Sequence, residues 1–170
     1  MLNWSEKFET GNAVIDSQHR MFISYVNRLE ELSRSRNPVK EEVELFFRFM
    51  DFLEDYMAIH FAEEENCMLH HQCGAYKENL IAHNEFLDFF KVFKHQIEIE
   101  GYRLESVREL YDACVAWIQR HILRLDVQLK PCRTPYDEPG ELANEVQSGS
   151  DAITFLEYFA NQAGPRPRVD

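Results

Sequence analysis

The chain has 170 residues, 45% of them apolar, enough to bury one core of ordinary domain size without disulfides. Thirty acidic against eighteen basic residues leave a net charge of −12, which phosphate backbones and anionic surfaces repel, so nucleic acid and membrane are ruled out as partners. No apolar run approaches the roughly 18 residues of a membrane span, Glu6, Lys7 and Glu9 interrupt any leader-like stretch, and the irregularly spaced Cys67, Cys73, Cys114 and Cys132 read as free thiols of a cytoplasmic protein.

Glycine and proline mark the element boundaries. Between Pro38 and Pro131 there is no proline, and the only glycines are Gly74 and Gly101, a pattern of long helices with short connections. The first helix takes Asp16 as N-cap and sets Ile15, His19, Phe22, Ile23 and Val26 on one face. The second opens with Asn37 as cap and Pro38 in the first position. Its inner face runs Val39, Val43, Phe46, Met50, Leu53, Met57, His60, Glu64 and Cys67. The third starts near Tyr76 and turns Tyr76, Asn79, His83, Phe86, Leu87, Phe90, Phe93 and Ile97 inward before ending at Gly101. The fourth buries Val107, Leu110, Tyr111, Cys114, Trp117, Ile118, His121 and Leu125, and Pro131 stops it.

These elements predict an all-α fold, an antiparallel up-down-up-down four-helix bundle over residues 1–131. Residues 132–170 read as a linker rich in Pro, Glu, Ser and Gly, then a short extra C-terminal helix capped by Ser150 or Asp151. Its Ile153, Phe155, Leu156, Tyr158 and Phe159 are too apolar for a free tail. That helix either packs on the bundle or meets a protein partner.

Each of the four apolar stripes contains one histidine: His19, His60, His83 and His121. A lone histidine on such a face is more often a core residue satisfied by a carbonyl or a water. One per helix is a different pattern. Glu64 lies one turn beyond His60 on the same face, where a carboxylate costs several kcal/mol unless it is paired or bound to a cation. No lysine or arginine stands on these stripes to pair with it. Imidazoles and carboxylates converging in a bundle core make a carboxylate-bridged di-metal site, and nitrogen and oxygen donors without thiolate favour iron or manganese over structural zinc. A single structural metal is the plainer alternative. His70 and His71 precede Gly74 in the expected loop and read as solvated, and His95 lies off the stripes.

The opening "NWSEKFETGNAVIDSQHRMF", then "HFAEEENCM" from His60, "HNEFL" from His83 and "WIQRHILRLD" around His121 together resemble the hemerythrin and bacteriohemerythrin family over residues 3–131. The resemblance implies the four-helix bundle and two Fe ions, oxo- or hydroxo-bridged, that bind O2 or another small diatomic molecule or anion. It places His19 and His60 on one iron, His83 and His121 on the other, with Glu64 and Asp126 bridging. Asp126 enters only through the resemblance. It lies five residues after His121, about 140° round a regular helix, where periodicity makes it a flank residue. The family's third helix presents two histidines four residues apart. Here the ungapped alignment puts the second at His83 and leaves Asn79 in place of the first; a four-residue insertion would instead make His83 the first and leave Leu87 in the second place.

Two functions follow. One is a non-enzymatic protein holding O2 for storage, delivery or sensing, with O2 meeting the His19–His60 iron in a pocket walled by Phe22, Phe46 or Met57. The other is a di-iron enzyme acting on O2, peroxide or nitric oxide, favoured by Asn79 standing where a ligand histidine is expected.

Overall fold

The protein, seen in a computed structural model, is described over residues 1–132. The expected C-terminal helix lies outside the described residues. Four helices carry the fold: α1 (Ala13–Arg34), α2 (Lys40–His70), α3 (Tyr76–Glu100) and α4 (Leu104–Trp117). They run up-down-up-down through connections at 35–39, 71–75 and 101–103, and no strand occurs among the described residues. α1 packs on both α2 and α4, and α2 packs on α3. The core is the meeting of the four stripes: Ile15, Phe22, Val26, Phe46, Leu53, Met57, Phe90, Val107, Leu110 and Ile118 are all buried.

Both helix starts differ from the sequence expectation. Asn12, not Asp16, caps α1, its side chain accepting from the backbone N–H groups of Val14 and Ile15. Asp16 is buried inside the first turn and accepts from the backbone N–H and hydroxyl of Thr10 at 2.7 and 2.9 Å, tying the preceding loop to the helix. α2 starts at Lys40, with Val39 as its N-cap rather than Asn37. Glu42 reaches back to accept from Val39 N–H at 3.0 Å and from the Ser35 hydroxyl at 2.9 Å. This is the returning half of a capping box, and it leaves Val39 exposed rather than on the inner stripe.

The ends are built more locally. Gly101 closes α3 at φ 77°, ψ −168°, a region open essentially to glycine alone, and donates to Ile97 O at 2.8 Å. α2 ends in a Schellman motif: Cys73 N–H donates to Met68 O at 2.8 Å and Gln72 N–H to Leu69 O at 3.1 Å. Gln72, rather than the neighbouring Gly74, takes the left-handed conformation, at φ 51°. The motif's apolar contact is present, since Cys73 and Met68 share a small cluster with Ile15, Ala75 and Leu129.

α4 departs most from the pattern. It does not continue to Pro131 but gives way to a π-helical turn at Ile118–Ile122, in which Leu123 N–H reaches back to Ile118 O. A 3-10 turn at Asp126–Gln128 and a last helical turn, α5 (Leu129–Cys132), follow. This last turn carries a correction: Cys73 and Cys132 form a disulfide with Cα atoms 5.4 Å apart, leaving only Cys67 and Cys114 free. Their irregular spacing hid the pairing, because the fold brings together residues 59 apart in sequence. A ring of that size stabilises the folded state by about 4 kcal/mol in the chain-entropy account.

Candidate metal centre

Each helix delivers its histidine to one level of the bundle. His19 comes from α1, His60 and Glu64 from α2, Asn79 and His83 from α3, and His121 from the π-helical turn. The π turn adds a residue to the helical tally. The chain then tightens through the bonds of Leu125 N–H to His121 O at 2.7 Å and Gln128 N–H to Leu125 O at 2.9 Å. Asp126 thereby swings from the flank into the core, with no solvent exposure at all.

The two carboxylates lie between the histidines. Asp126 Oδ1 is 2.9 Å from His121 Nε2, and its Oδ2 is 3.4 Å from His19 Nε2. Glu64 Oε2 is 3.3 Å from His83 Nε2 and accepts from the Asn79 amide at 3.2 Å. One donor atom each from Glu64, His83, His121 and Asp126 can be chosen so that all lie within 4.8 Å of one another. The imidazoles fall into two pairs, His19 with His60 at 4.9 Å between ring centroids and His83 with His121 at 4.7 Å.

Satisfaction of these polar groups is incomplete in a telling way. Both ring nitrogens of His19 and His121, His83 Nε2, Glu64 Oε1, Asn79 Oδ1 and both oxygens of Asp126 are buried without an aligned hydrogen bond. Native cores leave few such groups unpaired, since each costs roughly 1–3 kcal/mol. Orphaned lone pairs on imidazole and carboxylate, converging without a lysine or arginine, fit a cation of the iron type.

Charge preferences point the same way. Burial, together with the Asp126 charge, raises Glu64 to about 7. Burial would raise Asp126 too, but the close approach of the His121 ring, and after it of His19, reverses this and holds it well below the carboxylate range. For His19, burial is outweighed by the nearby Asp126 carboxylate, with Glu64 and Asp16 adding to it, giving a raised value. Burial, reinforced by neighbouring imidazoles, lowers His60 and, against the pull of Asp126, His121. Below about pH 7 a divalent cation must therefore displace a proton from Glu64, whereas burial already favours the neutral, ligating form of His60 and His121. Fe(II) affinity, titrated anaerobically, is expected to climb on the order of tenfold per pH unit up to about pH 7, as the proton displaced from Glu64 is lost, and to flatten above that. An affinity flat across the window contradicts this assignment.

Several supporting residues escaped the sequence reading. Gln18 Oε1 stands 2.9 Å from His60 Nδ1, and Glu65 Oε1 stands 2.8 Å from His83 Nδ1. Each fixes a ring through the nitrogen facing away from the centre. The signal was adjacency, since Gln18 precedes His19 and Glu65 follows Glu64. Aromatic rings brace the imidazoles: Phe61 stacks on His83 at 3.8 Å, Trp117 on His121 at 3.9 Å, and Tyr56 on His60 at 5.6 Å. The Tyr56 hydroxyl donates to Gln18 O.

Of the residues expected to wall the pocket, Phe22 and Met57 are buried three positions from His19 and His60. Phe46 is not part of it. It lies fourteen residues before His60, about 21 Å away along the helix, and packs edge-on against Tyr102 at 5.4 Å. An apolar groove of about 360 Å³ opens instead between α3 and α4, with Ala82, Phe86, Ala113, Ala116 and Trp117 leading to His121.

The comparisons with known proteins agree with this geometry. The Hemerythrin HHE cation binding domain family matches residues 10–132. A bacteriohemerythrin of Clostridium acetobutylicum (strain ATCC 824) is 28% identical over 129 residues, covering 74% of this chain and 96% of that protein.

Proposed function

The chain belongs to the hemerythrin family, and from that premise we propose that it is a carboxylate-bridged di-iron protein that binds O2 for storage, delivery or sensing. Family membership and the clustered donors make it a non-haem iron-binding domain. The observation that carries the finer reading is the pair of imidazole pairs flanking two buried carboxylates. One metal uses one pair; two pairs sharing two carboxylates suit two metals. In this reading His19 and His60 hold one iron, His83 and His121 the other, and Glu64 and Asp126 bridge. When bound, iron supplies a redox-active centre able to take a diatomic ligand.

The protein's own residues do the rest. Gln18 and Glu65 hold two of the rings in orientation. Phe61, Trp117 and Tyr56 keep water from the imidazole faces, and dryness suppresses proton-driven side reactions. Phe22 and Met57 supply the apolar wall beside His19 and His60. In this reading residues 1–131 form the functional unit. No helix among the described residues is long and apolar enough to cross a membrane, and the reading places the protein in the cytoplasm.

Asn79 favours a second reading. It is fully buried beside Glu64 with its Oδ1 unpartnered, in the position where the resemblance expects a histidine. An amide oxygen or an open position there makes that iron more reactive, as in an enzyme acting on O2, peroxide or nitric oxide.

Metal analysis with thermal unfolding tests the main reading. Two irons per chain are expected, and stripping them should lower the melting temperature by on the order of 10 °C, because sites assembled from four helices exist only in the folded state. One iron per chain supports the mononuclear alternative. Equal melting temperatures with and without iron contradict both.

A further inference from the structure

We propose that the Cys73–Cys132 disulfide is a thiol–disulfide exchange site for a dithiol reductant, and that its opening loosens the iron on the His83–His121 side more than its neighbour. The proposal rests on the di-iron reading above. Its first support is topological. The ring closed by the disulfide contains Asn79, His83, His121 and Asp126, whereas His19, His60 and Glu64 lie outside it. The covalent link therefore encloses one imidazole pair and not the other.

The second support is mechanical. Asp126 is held by a π turn, a 3-10 turn and the four residues of α5 rather than by a continuous helix. Beyond Asp126, three ties bind that segment to the bundle: buried Leu129 in its small cluster, the Lys130–Glu9 ion pair at 3.8 Å, and the disulfide. An exposed ion pair of that length contributes little. Removing the disulfide leaves Leu129 as the main remaining anchor six residues or fewer from the carboxylate.

The third support is chemical. Cys73 is buried at 6% exposure, whereas Cys132 is only partly buried, so an incoming thiolate reaches the Cys132 sulfur first. Attack there forms a mixed disulfide and expels Cys73 as thiolate, which takes up a proton. The second thiol of the reductant then attacks its own sulfur of the mixed disulfide, and the Cys132 thiolate leaves and is protonated. The sum is one protein disulfide and one dithiol giving two protein thiols and one reductant disulfide. Gln128 O lies 3.4 Å from Cys73 Sγ, an acceptor in place for the released thiol. In reducing compartments, disulfides are mostly transient or redox-sensing.

The test uses the full chain loaded anaerobically with Fe(II), before and after dithiothreitol followed by desalting. Thiol titration under denaturing conditions should rise from two to four per chain. A coloured Fe(II) chelator should then extract one of the two irons at least tenfold faster from the reduced protein, and the other, which shares only Asp126 with the loosened segment, with a clearly smaller acceleration. Cys73→Ser should reproduce the fast phase without reductant, and Cys67→Ser should behave as the parent. Four thiols before reduction, equal extraction kinetics after it, or equal acceleration of both irons would overturn the proposal. A chain that binds no iron in either state would overturn the di-iron reading and this proposal with it, whatever the thiol count.

Discussion

Glu64→Gln should shift the stability of metal-free and iron-loaded protein in opposite directions. Glutamine keeps the shape and loses the charge. In the metal-free protein at pH 8 the carboxylate is ionised at a buried position where burial and Asp126 oppose its charge. A raised folded-state value means that folding favours the protonated form. The resulting penalty is absent below about pH 4, grows between the ordinary carboxylate value and the folded value of about 7, and stands at roughly 3 kcal/mol above that. Metal-free Glu64→Gln should therefore melt above the metal-free parent at pH 8, and the difference should shrink below pH 7 and vanish toward pH 4. With iron the order reverses. A neutral amide cannot neutralise two cations a few ångströms apart, so iron content should fall from two per chain to one or fewer and the gain in melting temperature on loading should be lost. Two irons in Glu64→Gln with unchanged optical spectra would remove Glu64 from the bridging position.

The second large effect is expected at Asn79. Its amide donates to Glu64 Oε2 at 3.2 Å and lies 3.3 Å from Met68 Sδ, while its oxygen has no partner. The side chain thus positions the carboxylate and offers at best a weak neutral oxygen to a cation. Asn79→His introduces an imidazole into a fully buried position, and Met68, an adaptable thioether, is the neighbour able to yield. Iron content should remain at two per chain. Oxidation of the reduced protein in air should slow by on the order of tenfold, because a filled coordination position excludes water and small anions from that iron. Azide should bind the two proteins differently. Equal oxidation rates with both sites full would mean that another group already occupies the position opposite His83 and His121.

The sequence made the bundle legible because buried helices repeat every three or four residues, and four such stripes are hard to produce otherwise. The same period identified His19, His60, Glu64, His83 and His121 by their presence on faces that should have been apolar. It failed at Asp126, and the reason is physical. A rule that assumes about 100° per residue cannot follow a chain that passes from α to π to 3-10 geometry within ten residues. Only the family resemblance placed Asp126. Caps were misplaced for a related reason: Asp16 and Asn37 are good capping residues by type, but Asn12 and Glu42 reach the free backbone N–H groups. The disulfide was illegible because pairing depends on where the turns of a folded bundle meet.

The stacking of Trp117 on His121, 3.9 Å apart with planes 17° from parallel, has an optical consequence. The chain contains two tryptophans. Trp4 sits far along the sequence, beneath the Arg20 guanidinium at 4.4 Å and against Phe8, whereas Trp117 touches an imidazole of the centre directly. An open-shell ion seated on that imidazole quenches the nearby indole by contact. The Trp117 share of the protein's ultraviolet emission therefore follows occupancy. Loading and release can be followed in real time on the unlabelled chain.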